Sequence, residues 1–345
     1  MALENEYYYQ TIYMSKKKLL FIVPLFLVIG YLMGPKPLTP SYKKDMPAVP
    51  EQANLLEEYI RKNEAQHKLK PDNEARIVWY NDSAKNKTDF SIVYLHGFSA
   101  SQEEGDPVHR NIAKKFGCNL FLTRLADHGI DTIDVMRRLT VDKYWESVKE
   151  ALAIGRQLGN KVILMGTSTG GTNALQLASA YPNDVYSLIL LSPNIEINDK
   201  NAWLLNNPWG LQIATLVQGS RYIDSKDTRE IYKKYWYSHY RLEAVVALEE
   251  MLESSMTKET FNKITQPTLL LYYYKDEVLQ DSVVKVSAMK EMFEQLKTDI
   301  SQKKSKAMPE TGNHVMGSPI KSNDTEGIEK EIERFMIETL RLSLK

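Results

Sequence analysis

The stretch from Lys161 to Tyr181 constrains this chain more than any other. Lys161 to Met165 reads as a strand and runs directly into Gly166-Thr167-Ser168-Thr169-Gly170-Gly171. Thr172 to Tyr181 then follows with Ala174, Leu175 and Ala178 at helical spacing. A strand that turns into a helix within one corner leaves no room for side chains two residues before and two after its apex, and glycines stand at both places. Ser168 is thereby lifted clear of the sheet. It also sits at a helix N-terminus, where backbone N–H groups and the dipole favour a developing oxyanion. With 16 glycines in 345 residues this arrangement seldom arises by accident; the alternative reading is a purely structural glycine turn.

The flanking sequence supplies the architecture that such a corner needs. From about Ala75 onward, short apolar segments alternate with amphipathic ones, which predicts an α/β fold with a mainly parallel sheet covered on both faces. Strands are expected over Arg76 to Tyr80, Ser91 to Leu95, Asn119 to Arg124, Lys161 to Met165, Tyr186 to Leu191 and Thr268 to Tyr274. Their near-continuous hydrophobicity implies burial on both sides. A core-facing helix is predicted over Val141 to Gln157, with Thr140 as N-cap and Gly159 beyond its end. A closing helix carries Ile328, Ile332, Phe335, Met336 and Leu340 on one stripe. About 70 residues between Ser192 and Thr268 lack strand character and are rich in aromatics, which reads as a helical insertion.

A serine hydroxyl is a weak nucleophile and needs a base that is itself held in place. His314, in Thr311-Gly312-Asn313-His314-Val315, lies between the last strand-like segment and the closing helix, so it can reach the carboxyl edge of the sheet. His67, His109 and His239 are placed less well, and His96 and His128 each precede a glycine in a turn. For the orienting acid, Asp276 stands at the first turn beyond the strand Thr268 to Tyr274, where an open α/β sheet presents its functional groups. Glu277 is expected to point elsewhere, and Asp281 before Ser282 reads as the N-cap of the next helix. Oxyanion donors are expected from the backbone N–H of Thr169 and, after the strand Ser91 to Leu95, from that of Phe98.

Charge and composition remove other classes. Lys and Arg number 44 against 44 Asp and Glu, so no basic excess exists to hold a nucleic-acid backbone. The single cysteine, Cys118, excludes an internal disulfide and any multi-cysteine metal site. Neither a phosphate-cradling Gly-x-x-x-x-Gly-Lys loop nor a dinucleotide fingerprint is present, and no cofactor or metal is expected. Asp127, His128, Asp131 and Asp134 form an acidic cluster without a recognised ligand spacing.

Lys16, Lys17 and Lys18 precede an apolar run from Leu19 to Met33. As a helix it would span about 22 Å, short of a hydrocarbon core unless the lysines snorkel. Without an Ala-x-Ala cleavage site it reads as an uncleaved membrane anchor, over residues 16–34, rather than a signal peptide. The lysines favour a cytoplasmic amino terminus with the rest of the chain outside the cytoplasm. Residues 1–15 are then a polar tail. Four prolines within Pro35 to Pro50 predict an extended tether, and 35–74 is the segment leading to the folded domain.

His96-Gly97-Phe98, Gly166-Thr167-Ser168-Thr169-Gly170, Lys275-Asp276-Glu277-Val278 and Gly312-Asn313-His314 together resemble the α/β-hydrolase superfamily. Within it the pattern is similar to the monoglyceride lipase, carboxylesterase and serine aminopeptidase (S33-type) group. The resemblance implies an α/β-hydrolase fold with a helical cap inserted between strands six and seven. Here the core would span 75–193 and 266–345, with the cap at 194–265. It implies a serine hydrolase with Ser168, Asp276 and His314 as triad, Gly166 and Gly170 framing the nucleophile, and Phe98 and Thr169 as oxyanion hole. Where relatives often read Arg-Gly-His-Gly, this chain has Ala126-Asp127-His128-Gly129. An apolar acyl ester is the expected substrate. An amide or peptide bond cut by the same triad, and a non-catalytic binding module on the same fold, are the alternatives.

Overall fold

The computed structural model describes residues 16–345, with side chains from residue 23 onward. The predicted polar tail 1–15 lies outside the described residues. Nine strands are formed among them: β1 (Arg76–Val78), β2 (Thr88–Leu95), β3 (Asn119–Leu122), β4 (Gly159–Thr167), β5 (Val185–Leu191), β6 (Tyr222–Asp224), β7 (His239–Arg241), β8 (Thr268–Tyr272) and β9 (Lys303–Ala307). Seven make one sheet in the order β1-β3-β2-β4-β5-β8-β9, and β6 and β7 form a separate two-stranded antiparallel sheet. All neighbours in the large sheet are parallel except β1 and β3.

The α-helices are α1 (Lys16–Leu32), α2 (Ala53–Glu64), α3 (Val108–Lys115), α4 (Val141–Leu158), α5 (Thr169–Ala180), α6 (Gly210–Gln218), α7 (Glu230–Tyr235), α8 (Leu242–Ser255), α9 (Lys258–Phe261), α10 (Val286–Gln295) and α11 (Thr325–Glu338). Strand β2 shows why helices cover both faces of the sheet. Val93 and Leu95 join the apolar cluster that holds α4, α5 and α10, while Ile92 and Tyr94 join the one that holds α3 and α11. Residues alternate across a strand, so a strand buried on both sides must be apolar throughout. Helix α4 starts where Thr140 Oγ1 accepts the Lys143 N–H at 3.3 Å, the cap expected from the sequence.

Strand order decides where a site can form. The chain steps from β2 to β3 on one side and then returns to place β4 on the other side of β2. That reversal opens a crevice at the carboxyl ends of β2 and β4. The loop carrying Phe98 follows β2, and Ser168 follows β4.

Two features differ from expectation. Strand β9, Lys303-Lys304-Ser305-Lys306-Ala307, is polar and gives no hydrophobic signal. It pairs with β8 at the end of the sheet, where lysines suit an edge strand. The insertion between β5 and β8 holds α6 to α9 but also the antiparallel β6–β7 pair, whose three-residue strands are too short to show a periodicity. It follows the fifth strand of the large sheet, so the strand numbering carried by the resemblance runs one ahead of the count here.

The proline-rich segment is irregular in conformation yet strapped to α4. Trp145 Nε1 donates to Lys43 O at 2.8 Å, Lys149 Nζ to Asp45 O at 2.7 Å and Ser41 Oγ to Asp142 Oδ1 at 2.8 Å. Tyr42 packs edge-on against Trp145. Among the described residues no helix is long and apolar enough to cross a membrane. Helix α1 is joined to the insertion between β5 and β8 by Trp209, whose indole N–H donates to Gly30 O at 3.0 Å and whose backbone N–H donates to Pro35 O at 2.9 Å.

Candidate active site

The corner at Ser168 is built by close backbone approach. A Cβ on Gly166 would collide with the Gly170 carbonyl, and one on Gly170 with the carbonyl of Leu95 on β2. Only glycine fits at either place. Ser168 itself takes φ 54° and ψ −121°, a conformation that L-residues rarely adopt. Its N–H donates to Leu191 O at 2.9 Å, and its carbonyl accepts from Gly171 and Asn194, which fixes the strained backbone from both sides. Helix α5 begins at Thr169, so unpaired N–H groups of its first turn face the same space.

Across that space stands His314, and the residue that holds it is Asp281. His314 Nδ1 lies 2.6 Å from Asp281 Oδ2. The other carboxylate oxygen, Oδ1, accepts the N–H groups of Val283 and Val284 at 2.9 and 3.0 Å. Asp281 is 1% exposed, so these three partners rather than bulk water stabilise its charge. Burial would raise its pKa, but the imidazole and the two backbone donors bring it below the ordinary carboxylate range. Burial likewise pushes His314 down, and the Asp281 carboxylate more than offsets it, leaving the imidazole above its usual value.

Asp276, expected from the sequence to orient the base, does not do so. Its Oδ1 accepts the N–H groups of Val278 and Leu279 at 2.9 and 2.8 Å within its own exposed turn. Those bonds hold its pKa low. The carboxylate that reaches His314 comes five residues later. Asp281 does not cap α10, whose N-cap is Lys285; its Oδ1 closes the turn at Val283 and Val284, ahead of the helix, while Oδ2 points to the histidine.

Ser168 and His314 line one cavity of about 500 Å³ together with Phe98, Thr169 and Glu104. Aromatic rings of the insertion, Tyr232, Trp236 and Tyr240, form part of its wall. The loop carrying Phe98 is held by two buried histidines that the sequence left in turns. His128 Nε2 accepts the Ser99 N–H at 3.0 Å and its Nδ1 donates to Ala126 O; His96 Nε2 accepts the Leu125 N–H and its Nδ1 donates to Gly97 O. Burial pushes both rings well below their usual pKa, to about 4 for His96, so both are neutral.

Glu104 also faces this cavity, from the short helix after the Phe98 loop. It is 2% exposed and accepts the Gly97 N–H at 2.5 Å, next to the loop that carries Phe98. Burial raises its pKa to about 7. Nothing in the run Gln102-Glu103-Glu104-Gly105 marks one of two adjacent acids as buried; only the fold of the short helix Gln102–Gly105 against β2 does so.

A family profile described as serine aminopeptidase, S33, matches residues 128–314, more than half of the chain. Among solved structures, one from a report on the metagenome-derived lipolytic enzymes LipS and LipT is 16% identical, with 78% of this chain and 99% of that one covered and a TM-score of 0.62. A monoacylglycerol lipase from Paleococcus ferrophilus is 14% identical over 76% of this chain and 98% of that one, with a TM-score of 0.55. Est1E from Butyrivibrio proteoclasticus with bound ferulic acid is 16% identical over 78% and 95%, with a TM-score of 0.52. At these identities the likeness is one of fold. No curated protein matches the chain.

Proposed function

Because the chain belongs to the serine aminopeptidase S33 family of α/β-hydrolases, we propose that it is a serine hydrolase that cleaves carboxylic esters through an acyl-enzyme on Ser168. The observation that carries this reading is the Asp281–His314 bond beside a cavity that also contains Ser168, Phe98 and Thr169. In this scheme Ser168 Oγ attacks the ester carbonyl and gives its proton to His314 Nε2. Asp281 holds Nδ1–H and stabilises the imidazolium. The oxyanion is taken by the N–H groups of Phe98 and Thr169, and the departing alkoxide receives the proton from His314. Water then repeats the sequence and releases the acid.

The cavity wall is mixed, and Tyr232, Trp236 and Tyr240 with Ile197, Val245 and Leu248 give it an apolar portion that can take an acyl group beside the polar residues around Ser168. The family's aminopeptidase description keeps an amide bond as the second reading. Parallel rates on p-nitrophenyl butyrate and on amino-acid p-nitroanilides distinguish them. The ester is expected to be the better substrate, and turnover of the anilides alone would assign the enzyme to amides. We also propose that the exposed apolar side chains of α1 hold the protein at a membrane, with the hydrolase outside the cytoplasm. Protease added to intact cells is then expected to remove the hydrolase domain, and full protection would place it inside.

A further inference from the structure

Three cavities lie end to end between Ser168 and the segment that follows α1. The active-site cavity includes Phe98 and Leu248 in its wall. The same two side chains bound a constriction of about 10 Å³, together with Leu139, Thr140, Val141, Tyr144, Ala247 and Met251. Leu139, Val141 and Ala247 of that constriction are in turn walls of an outer chamber of about 360 Å³. Pro35, Pro37, Leu38 and Pro40 also line that chamber, as do Leu205 and Leu211 of the cap. Shared walls make the three cavities direct neighbours, parted only by side chains, in a series that leads from Ser168 towards α1.

The chamber wall is mostly apolar, with Lys36, Asn207 and Gln212 among its few polar members. Its carboxylates are already engaged: Asp142 by Ser41, Glu243 by Arg241 and Glu250 by Asn206. An apolar cavity of about 150 Å³ takes a benzene ring, so this one has room for a considerably longer aliphatic group. Its surroundings are equally apolar. Helix α6 exposes Ile213, Leu216 and Val217, and α1 exposes Val23 and Leu25 to Ile29. Trp209 ties the two together, and its indole packs so closely on Gly34 that no Cβ would fit there.

We infer that the chamber between the Pro35–Pro40 segment and the cap is an acyl-chain site, receiving the aliphatic tail of a long-chain ester whose carbonyl lies at Ser168. This rests on the ester-hydrolase reading. The tail passes Leu139, Leu248 and Met251, which separate by side-chain rotation; methionine in particular adapts its shape at low cost. The site belongs to this chain's own amino-terminal segment, which supplies one wall.

Ala247→Trp in the full-length protein tests it, because the new ring fills the junction between constriction and chamber. The ratio of kcat/KM for p-nitrophenyl dodecanoate to that for p-nitrophenyl butyrate is expected to fall by at least about tenfold. An unchanged ratio overturns the proposal. A second arm needs no turnover: Ser168→Ala protein is photolabelled with a diazirine-bearing fatty acid and the adduct is mapped by mass spectrometry. Labels on Pro35–Pro40 or on α8 near Ala247 support the site even if esters prove not to be substrates. Labels confined to other surfaces overturn it.

Discussion

Asp281 Oδ2 sits 2.6 Å from His314 Nδ1 while its Oδ1 is held by the N–H groups of Val283 and Val284. One buried carboxylate is thus fixed by the backbone at one end and fixes the imidazole at the other. Asp281→Asn preserves the shape but removes the charge and offers Nδ1 a donor, which favours the wrong tautomer. A fall in kcat of roughly 10⁴-fold on p-nitrophenyl butyrate is expected, against less than about twofold for Asp276→Asn. Steady-state rates of the two variants side by side check the assignment, and the reverse ranking would restore Asp276.

The pH profile follows from the same pair. In the proposed mechanism His314 acts as a base only when neutral, and its pKa is raised above its ordinary 6.5 because the Asp281 carboxylate outweighs burial. The acid limb of kcat/KM is therefore expected to turn at a pH above 6.5. Once ionised, above about pH 7, Glu104 adds a second negative charge near the ring, so Glu104→Gln is expected to move that inflection downward. An inflection that stays in place would separate Glu104 from His314.

Glu104 also makes stability fall with rising pH. Its pKa is raised from the ordinary 4.5 to about 7 by burial. As pH rises through 4.5 the unfolded chain loses this proton while the folded chain keeps it until about 7. The fold is thus destabilised across that window, by at most roughly 3 kcal/mol at its upper end. Glu104→Gln removes the effect, so its Tm relative to the unaltered protein is expected to be higher at pH 8 than at pH 5. Thermal melts at both values check this.

The glycines of the corner have a structural cost that can be measured apart from chemistry. A methyl on Gly170 would run into the Leu95 carbonyl of the neighbouring strand, which is backbone and cannot rotate away. Gly170→Ala is expected to destabilise by about 3 kcal/mol or more in denaturant titration. Gly219→Ala is a useful contrast: its added Cβ meets open space, so its cost comes only from the positive φ of 70°.

What could be read from the sequence was what local pattern determines. Six apolar segments became strands of the large sheet, and the glycine spacing around Ser168 announced its turn, because both depend on residues within one short window. Strand β9 was hidden because an edge strand need not be apolar. The choice between Asp276 and Asp281 was illegible for a different reason. Both are acids in turns after β8 and both accept local N–H groups, and only the path of the chain to His314, 33 residues beyond Asp281, selects one. The same holds for Glu104, whose burial depends on β2 and on the loop after it.

Reaction with a fluorophosphonate, followed by peptide mapping, tests the central claim most directly, since it requires only an activated serine and no knowledge of the substrate. The account predicts a single adduct on Ser168, lost in Ser168→Ala and strongly slowed in both His314→Ala and Asp281→Asn. An adduct on another residue, or no reaction with the folded protein, would contradict it.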